Sequence, residues 1–241
     1  MIQPNEVTPI KIFKSAHDRS SNFISGGKGN KGRRDADDLR AAVVFAVSSV
    51  DAYFRSKIIH ILRKKNQSSA DRLLPNSVKK HIQKMISRDL FNNREYSQLR
   101  SKEKEAVDAM YNSKKPYLIT YLQKSLEDLS FQNMDRLEEG VKMMGGRPQE
   151  IWGKINQSII RDSQPQRTIG RPKKVKKGPK TNVKIQIRNL FLRRHRIVHD
   201  ADLSIHGKRS RGQPISISYG IVKKWIDSTE ILVNNVDSMI R

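Results

Sequence analysis

The chain has 241 residues, enough to bury one sizeable core, so one main domain is the expectation. Its 48 Lys and Arg against 24 Asp and Glu give a formal net charge of +24, far more than solubility requires, and the excess points to a polyanionic partner. Nucleic acid is favoured over an acidic membrane surface because a basic surface supplies the sequence-independent attraction to phosphates. The absence of cysteine excludes disulfide frameworks, cysteine-ligated zinc and thiol nucleophiles, and agrees with a reducing compartment. The longest apolar run, Ala41 to Val47, falls far short of the ~20 residues of a membrane span, and the N-terminus carries no signal-peptide core. A soluble, cytoplasmic protein with no membrane association is therefore expected.

Residues 1–34 mix Ser, Gly, Asn and Lys, which predicts a flexible N-terminal arm with little core of its own. The glycine-rich run Ser25 to Gly32 is not a phosphate loop, for it lacks a Gly-Lys-Ser/Thr ending and no strand precedes it. Residues 35–241 form the expected folded domain. Asp35, Asp37 and Asp38 place acid at a helix start, where the macrodipole favours it, and Leu39, Val43, Val47, Val50, Phe54, Ile58 and Ile61 recur at helical spacing. That helix ends at Arg63-Lys64-Lys65-Asn66, cations at the negative end followed by a capping residue.

Pro75-Asn76-Ser77 opens a second helix carrying Val78, Ile82, Met85, Ile86 and Leu90. A polar helix is expected within Ser97 to Met110, and an apolar-rich one from Tyr117 to Leu129. Asn133 to Met144 reads as a short helix stopped by Gly145-Gly146, and Pro148 to Ile160 as another anchored by Trp152. Val183 to His199 is a further helix, and Val222, Trp225, Thr229, Leu232, Val236 and Met239 define the last. Alternation with period two appears only in fragments such as Pro214 to Ser218, too short to build a sheet. The fold class is all-α, a helical bundle.

The most informative segment is Arg194-His195-Arg196-Ile197-Val198-His199-Asp200. Val183, Ile187 and Leu190 set a stripe whose continuation lands on Arg194 and then Ile197, so an arginine occupies a core-stripe position. Burying an unpaired guanidinium is strongly unfavourable, so this face should meet an anion, a partner subunit or a water-filled cleft. Read from composition alone, the segment is a basic helix end, with Arg193, Arg194 and Arg196 favoured by the C-terminal dipole.

Three stretches, taken in order, resemble one known family. Asp37-Asp38-Leu39-Arg40-Ala41-Ala42-Val43-Val44-Phe45-Ala46-Val47-Ser48-Ser49-Val50-Asp51-Ala52-Tyr53 looks like the first long helix of HEPN domains of the RiboL-PSP-HEPN group. Arg194 to Asp202 fits that family's pattern of an arginine, a polar residue directly after it, and a histidine four to six residues on. Lys224-Trp225-Ile226-Asp227 is similar to its C-terminal helix, and Ser130-Phe131-Gln132 with Trp152 to its middle. The likeness covers residues 37 to about 160 and 183 to 240.

The resemblance implies a HEPN-like bundle and a metal-independent endoribonuclease, often a toxin or antiviral defence component. It implies a homodimer in which two protomers juxtapose Arg and His residues, with no cofactor, and with an antitoxin or sensor protein as a possible restraint. In that chemistry a histidine deprotonates the ribose 2′-OH or protonates the departing 5′ oxygen, a contribution of roughly 10²- to 10⁴-fold. His199 takes this role, and Arg194 supplies a fixed cation for the charge developing on the phosphorane. His195 either contacts substrate and holds the motif or only adds polarity to the surface. Five steps at about 100° per residue set His199 roughly 140° around the helix from Arg194, which a composite dimer site, or a helix ending near Asp200, would reconcile. Asp51, on the polar side of the first helix, either orients a histidine or, more simply, is a solvated carboxylate.

Other chemistries fit poorly. His195 and His199 stand at a spacing that can ligate zinc, yet Arg196 occupies the place where a metalloprotease helix carries glutamate, so no metal is expected. No nucleophile elbow and no compact carboxylate pair stands out. Residues 161–180 form a long basic loop, an insertion relative to the family pattern, in which Arg161, Arg167, Arg171, Lys173, Lys174, Lys176, Lys177 and Lys180 face Asp162 alone. Arg171, Lys173, Lys174, Lys176 and Lys177, with Arg193 and Arg196, are the candidate nucleic-acid contacts, leading RNA toward the motif helix; a solvated tether is the plainer reading of the loop. Gly170-Arg171-Pro172-Lys173-Lys174 also looks like an AT-hook core, which suits the A·T minor groove. A non-catalytic nucleic-acid-binding protein is accordingly the alternative function.

Overall fold

The computed structural model describes residues 7–25, 36–66, 76–113, 126, 129–162, 182–199 and 215–240. Eight α-helices are resolved among them: α1 Pro9–Ser25, α2 Ala36–Asn66, α3 Asn76–Leu90, α4 Ser101–Ser113, α5 Met134–Met143, α6 Pro148–Asp162, α7 Val183–His199 and α8 Tyr219–Met239. There is no strand among the described residues, so the chain is an all-α bundle as its periodicity predicts. The expected helix at Tyr117 to Leu129 falls mostly outside the described residues, although Leu126 and Leu129 are buried.

The 31-residue α2 is the axis of the bundle. α1, α5, α7 and α8 all pack on it, and its buried positions run from Leu39 through Val43, Val47, Val50 and Phe54 to Ile61. A helix covered on several sides must bury polar groups too, and these are paired. Lys57 meets Asp237 of α8 at 2.8 Å, and the Tyr53 hydroxyl donates to the same carboxylate at 3.1 Å. Burial, and then the Asp237 charge, push the Tyr53 pKa up, so the phenol stays a donor.

The N-terminal segment corrects the expectation of a flexible arm. Residues 9–25 are helix α1, whose buried face holds Pro9, Phe13, His17, Ser20 and Ile24 and packs along α2 more extensively than any other pair of helices. His17 lies 3.3 Å from the Ile226 carbonyl through Nε2, and the Ser20 hydroxyl donates to the Ala42 carbonyl at 2.9 Å. A polar composition therefore conceals a core helix, because two of its inward residues are polar side chains with backbone partners. The glycine-rich residues 26–32 lie outside the described residues.

Local signals fix the ends of α5. The Asn133 side chain accepts the Arg136 backbone N–H at 2.9 Å, satisfying one orphan donor of the first turn. At the other end the Gly146 N–H bonds to the Val141 carbonyl and the Gly145 N–H to the Lys142 carbonyl, both at 2.9 Å. Gly145 sits at φ 85°, the left-handed conformation that this terminating motif gives to glycine.

Candidate active site

The stripe that Val183, Ile187 and Leu190 begin is fully buried, and α7 continues unbroken through His199. Arg194, next on the stripe, is half-buried. It opens onto a cleft of about 550 Å³, one wall of which is formed by Phe191, Leu192, Arg194 and His195 of α7. The facing wall is Leu129, Ser130, Gln132 and Asn133, with Arg136 from the first turn of α5. Arg194 makes no hydrogen bond or ion pair with another described residue, and among the described residues that line the cleft there is no carboxylate. A partly desolvated guanidinium in that setting attracts an anion.

His195 lines the same cleft and is exposed. One turn later, the His199 ring lies with its centroid 4.5 Å from that of His195. Within one protomer, then, the two imidazoles share a face, with Arg194 one residue before the first of them. His199 remains helical, so it gains no freedom from an early helix end, and it is His195 that joins Arg194 in lining the cleft.

The far wall is positioned from α2. Asp51 is buried and its Oδ1 accepts the Phe131 backbone N–H at 2.6 Å, while Oδ2 pairs with Arg55 at 3.0 Å. It is thus neither solvated nor an orienter of a histidine among the described residues; it anchors the chain segment opposite Arg194. The Phe131 ring then stacks in a tilted arrangement on Phe54, centroids 5.7 Å apart. Gly140 is required beneath them, since a Cβ there would come within 2.7 Å of the Phe54 ring and 2.9 Å of the Phe131 ring.

α5 and α7, which contribute to the two walls, are also tied to each other through Glu138. Glu138 of α5 accepts from the Trp152 indole at 3.1 Å and from Lys184 of α7 at 2.8 Å, and the Lys184 bond holds the Glu138 pKa below the usual carboxylate range. The Lys184 ammonium also lies 5.4 Å from the Trp152 ring centroid.

The other expected contacts separate. Arg193 donates to the Ile215 carbonyl at 2.8 Å, and Arg40 reaches the same oxygen at 3.4 Å, so Arg193 holds the approach to α8. Arg196 is exposed. Arg171, Lys173, Lys174, Lys176 and Lys177 lie outside the described residues. Residues 130, 132 and 136 carried no sequence signal for a site. Only the fold, through Asp51, reveals that they face Arg194.

An all-α bundle in which Arg194 and His195 of α7 border a cleft, with His199 one turn further along the same helix, fits a HEPN-type domain. The sequence profile of the RiboL-PSP-HEPN family matches residues 11–241, and the chain belongs to that family. The match includes most of α1, in keeping with that helix being part of the domain. HEPN domains are generally associated with ribonuclease function, which makes RNA the substrate class the family implies. Comparison with curated proteins and with solved structures yields no match. Among the described residues no helix is long and apolar enough to cross a membrane, and no group of three His, Asp or Glu stands where it could hold a metal ion.

Proposed function

We propose that this protein is an endoribonuclease that cleaves RNA by internal attack of a ribose 2′-OH, without a metal or other cofactor. The observation that carries the reading is Arg194, half-buried at a cleft with no carboxylate among its described lining residues, beside two histidines whose rings lie 4.5 Å apart and tilted to each other. His199 removes the 2′ proton; the 2′ oxygen attacks phosphorus; the bond to the 5′ oxygen breaks, and a protonated imidazole returns a proton to it. The products are a 2′,3′-cyclic phosphate and a 5′-hydroxyl. Arg194 stabilises the added negative charge on the phosphorane oxygens through its planar donors, and His195 contacts the substrate beside it.

We assign the complete site to a homodimer. Arg194 and His199 point about 140° apart on a regular helix, so residues of two copies together supply what one copy divides. Ile185 and Leu192 are about half exposed, and with His199 they recur every seven residues on one face of α7, the spacing of a helix-to-helix seam. The biological role that fits best is a toxin or antiviral defence effector of the cytoplasm, held in check by an antitoxin or sensor protein.

Incubating single-stranded RNA with the purified protein in EDTA tests the reading: fragments ending in cyclic phosphate are expected. Intact RNA together with a shifted A·T-rich duplex would instead support the non-catalytic binder built on Gly170-Arg171-Pro172. Sedimentation tests the dimer, and a strict monomer that still cleaves would contradict the shared site.

A further inference from the structure

We infer that the wall of the cleft facing Arg194 is a nucleotide subsite, in which Arg136 holds a phosphate next to the scissile one and the Gln132 carboxamide reads the edge of the intervening base. This rests on the RNA-cleaving reading of the cleft and adds to it residues that the arginine–histidine motif does not contain. The cleft's volume, about 550 Å³, falls within the range of about 300–1,000 Å³ typical of small-ligand sites. Its lining also has the make-up that a nucleotide needs, with buried apolar surface from Leu129 and Phe191 for a base face.

Two features single out these residues. Gln132 is half-buried, and its side chain has no hydrogen-bond partner among the described residues. A carboxamide offers both a donor and an acceptor, the pair that base edges present, and the backbone beneath it is fixed by the adjacent Phe131–Asp51 bond. Arg136 stands in the first turn of α5, where the helix dipole adds to its charge. Its Nη1 pairs with Glu139 at 2.8 Å, but both side chains are well exposed, and an exposed pair of this kind is readily exchanged for a phosphate.

The wall opposite the catalytic motif thus grips and selects, while the motif helix cleaves. Single-stranded RNA is the form required, since in an A-form duplex pairing occupies the Watson–Crick edge and the deep, narrow major groove keeps the Hoogsteen edge from Gln132.

The test is equilibrium binding of the full-length protein to fluorescein-labelled 2′-fluoro oligonucleotides, which lack the attacking hydroxyl, in sets differing in base at each position. Arg136→Ala is expected to weaken all sequences about tenfold and to lower the salt slope by about 1. Gln132→Ala is expected to leave the salt slope unchanged and to reduce discrimination between bases at one position about fivefold, as loss of one base contact implies. Gln132→Glu, of nearly the same shape, should weaken binding through repulsion of phosphate. Variants that keep wild-type affinity, base preference and salt slope overturn the subsite, whether or not the wild-type protein cleaves RNA. A wild-type protein that shows these position-specific effects yet never cuts RNA would leave the subsite standing and remove the nuclease reading.

Discussion

The Asp51 carboxylate accepts the Phe131 backbone N–H at 2.6 Å, joining the middle of α2 to a segment 80 residues further along the chain. The same carboxylate holds Arg55 at 3.0 Å. One buried acid in the central helix thereby determines where the wall opposite Arg194 stands, and couples the architecture of the bundle to the shape of the cleft.

Asp51→Ala should therefore lower stability by about 2–3 kcal/mol, the cost of stranding a buried amide and a charge-assisted partner. Asp51→Asn, which keeps an acceptor oxygen, should cost less. Urea denaturation of the three proteins checks this, and an alanine variant within about 0.5 kcal/mol of the wild type would show that the bond is not what positions the segment.

Glu138 gives a pH signature. Its folded-state pKa is lowered, chiefly by the Lys184 bond, so the unfolded chain binds its proton first as pH falls. The stabilisation is complete above the ordinary value of 4.5 and is lost as pH drops through the depressed folded value. Glu138→Gln should cost roughly 0.5–1 kcal/mol at neutral pH, and the gap to the wild type should narrow as pH falls below 4.5. Thermal unfolding across that range measures it; a gap independent of pH would assign the loss to packing alone.

Arg194→Ala and His199→Ala should each reduce cleavage at least about a hundredfold while leaving the helical circular dichroism unchanged, since neither side chain belongs to the core. Full activity in either variant removes that residue from the catalytic machinery.

Deleting residues 165–180 should weaken RNA affinity and flatten its dependence on salt, with less effect on turnover at saturating RNA, because the deleted lysines and arginines neutralise phosphates rather than reacting atoms. An unchanged salt slope would make the loop a tether.

The parts of the fold that the sequence makes legible are those where apolar residues keep strict helical spacing. The bounds of α2, α3, α7 and α8 follow from Leu39 to Ile61, Val78 to Leu90, Val183 to Leu190 and Val222 to Met239. Arg194 was legible for the converse reason, a charge falling on such a stripe. α1 was hidden because its inward face spends two of five buried positions on His17 and Ser20, next to a glycine-rich run that reads as linker. The wall of Ser130, Gln132 and Arg136 was hidden because nothing local places it. Its position depends on a hydrogen bond between Asp51 and Phe131, and a carboxylate on a helix gives no sign from sequence that it will be buried.

The central claim, that Arg194 and His199 direct a ribose 2′-OH onto its own phosphate, is tested most directly by mapping a cleavage position in EDTA and resynthesising that RNA with a single 2′-deoxynucleotide just 5′ to the cut. The account predicts that cleavage at that linkage disappears while cuts elsewhere persist with cyclic-phosphate ends. Continued cleavage at the deoxy position, or two RNAs that both stay intact, would contradict it.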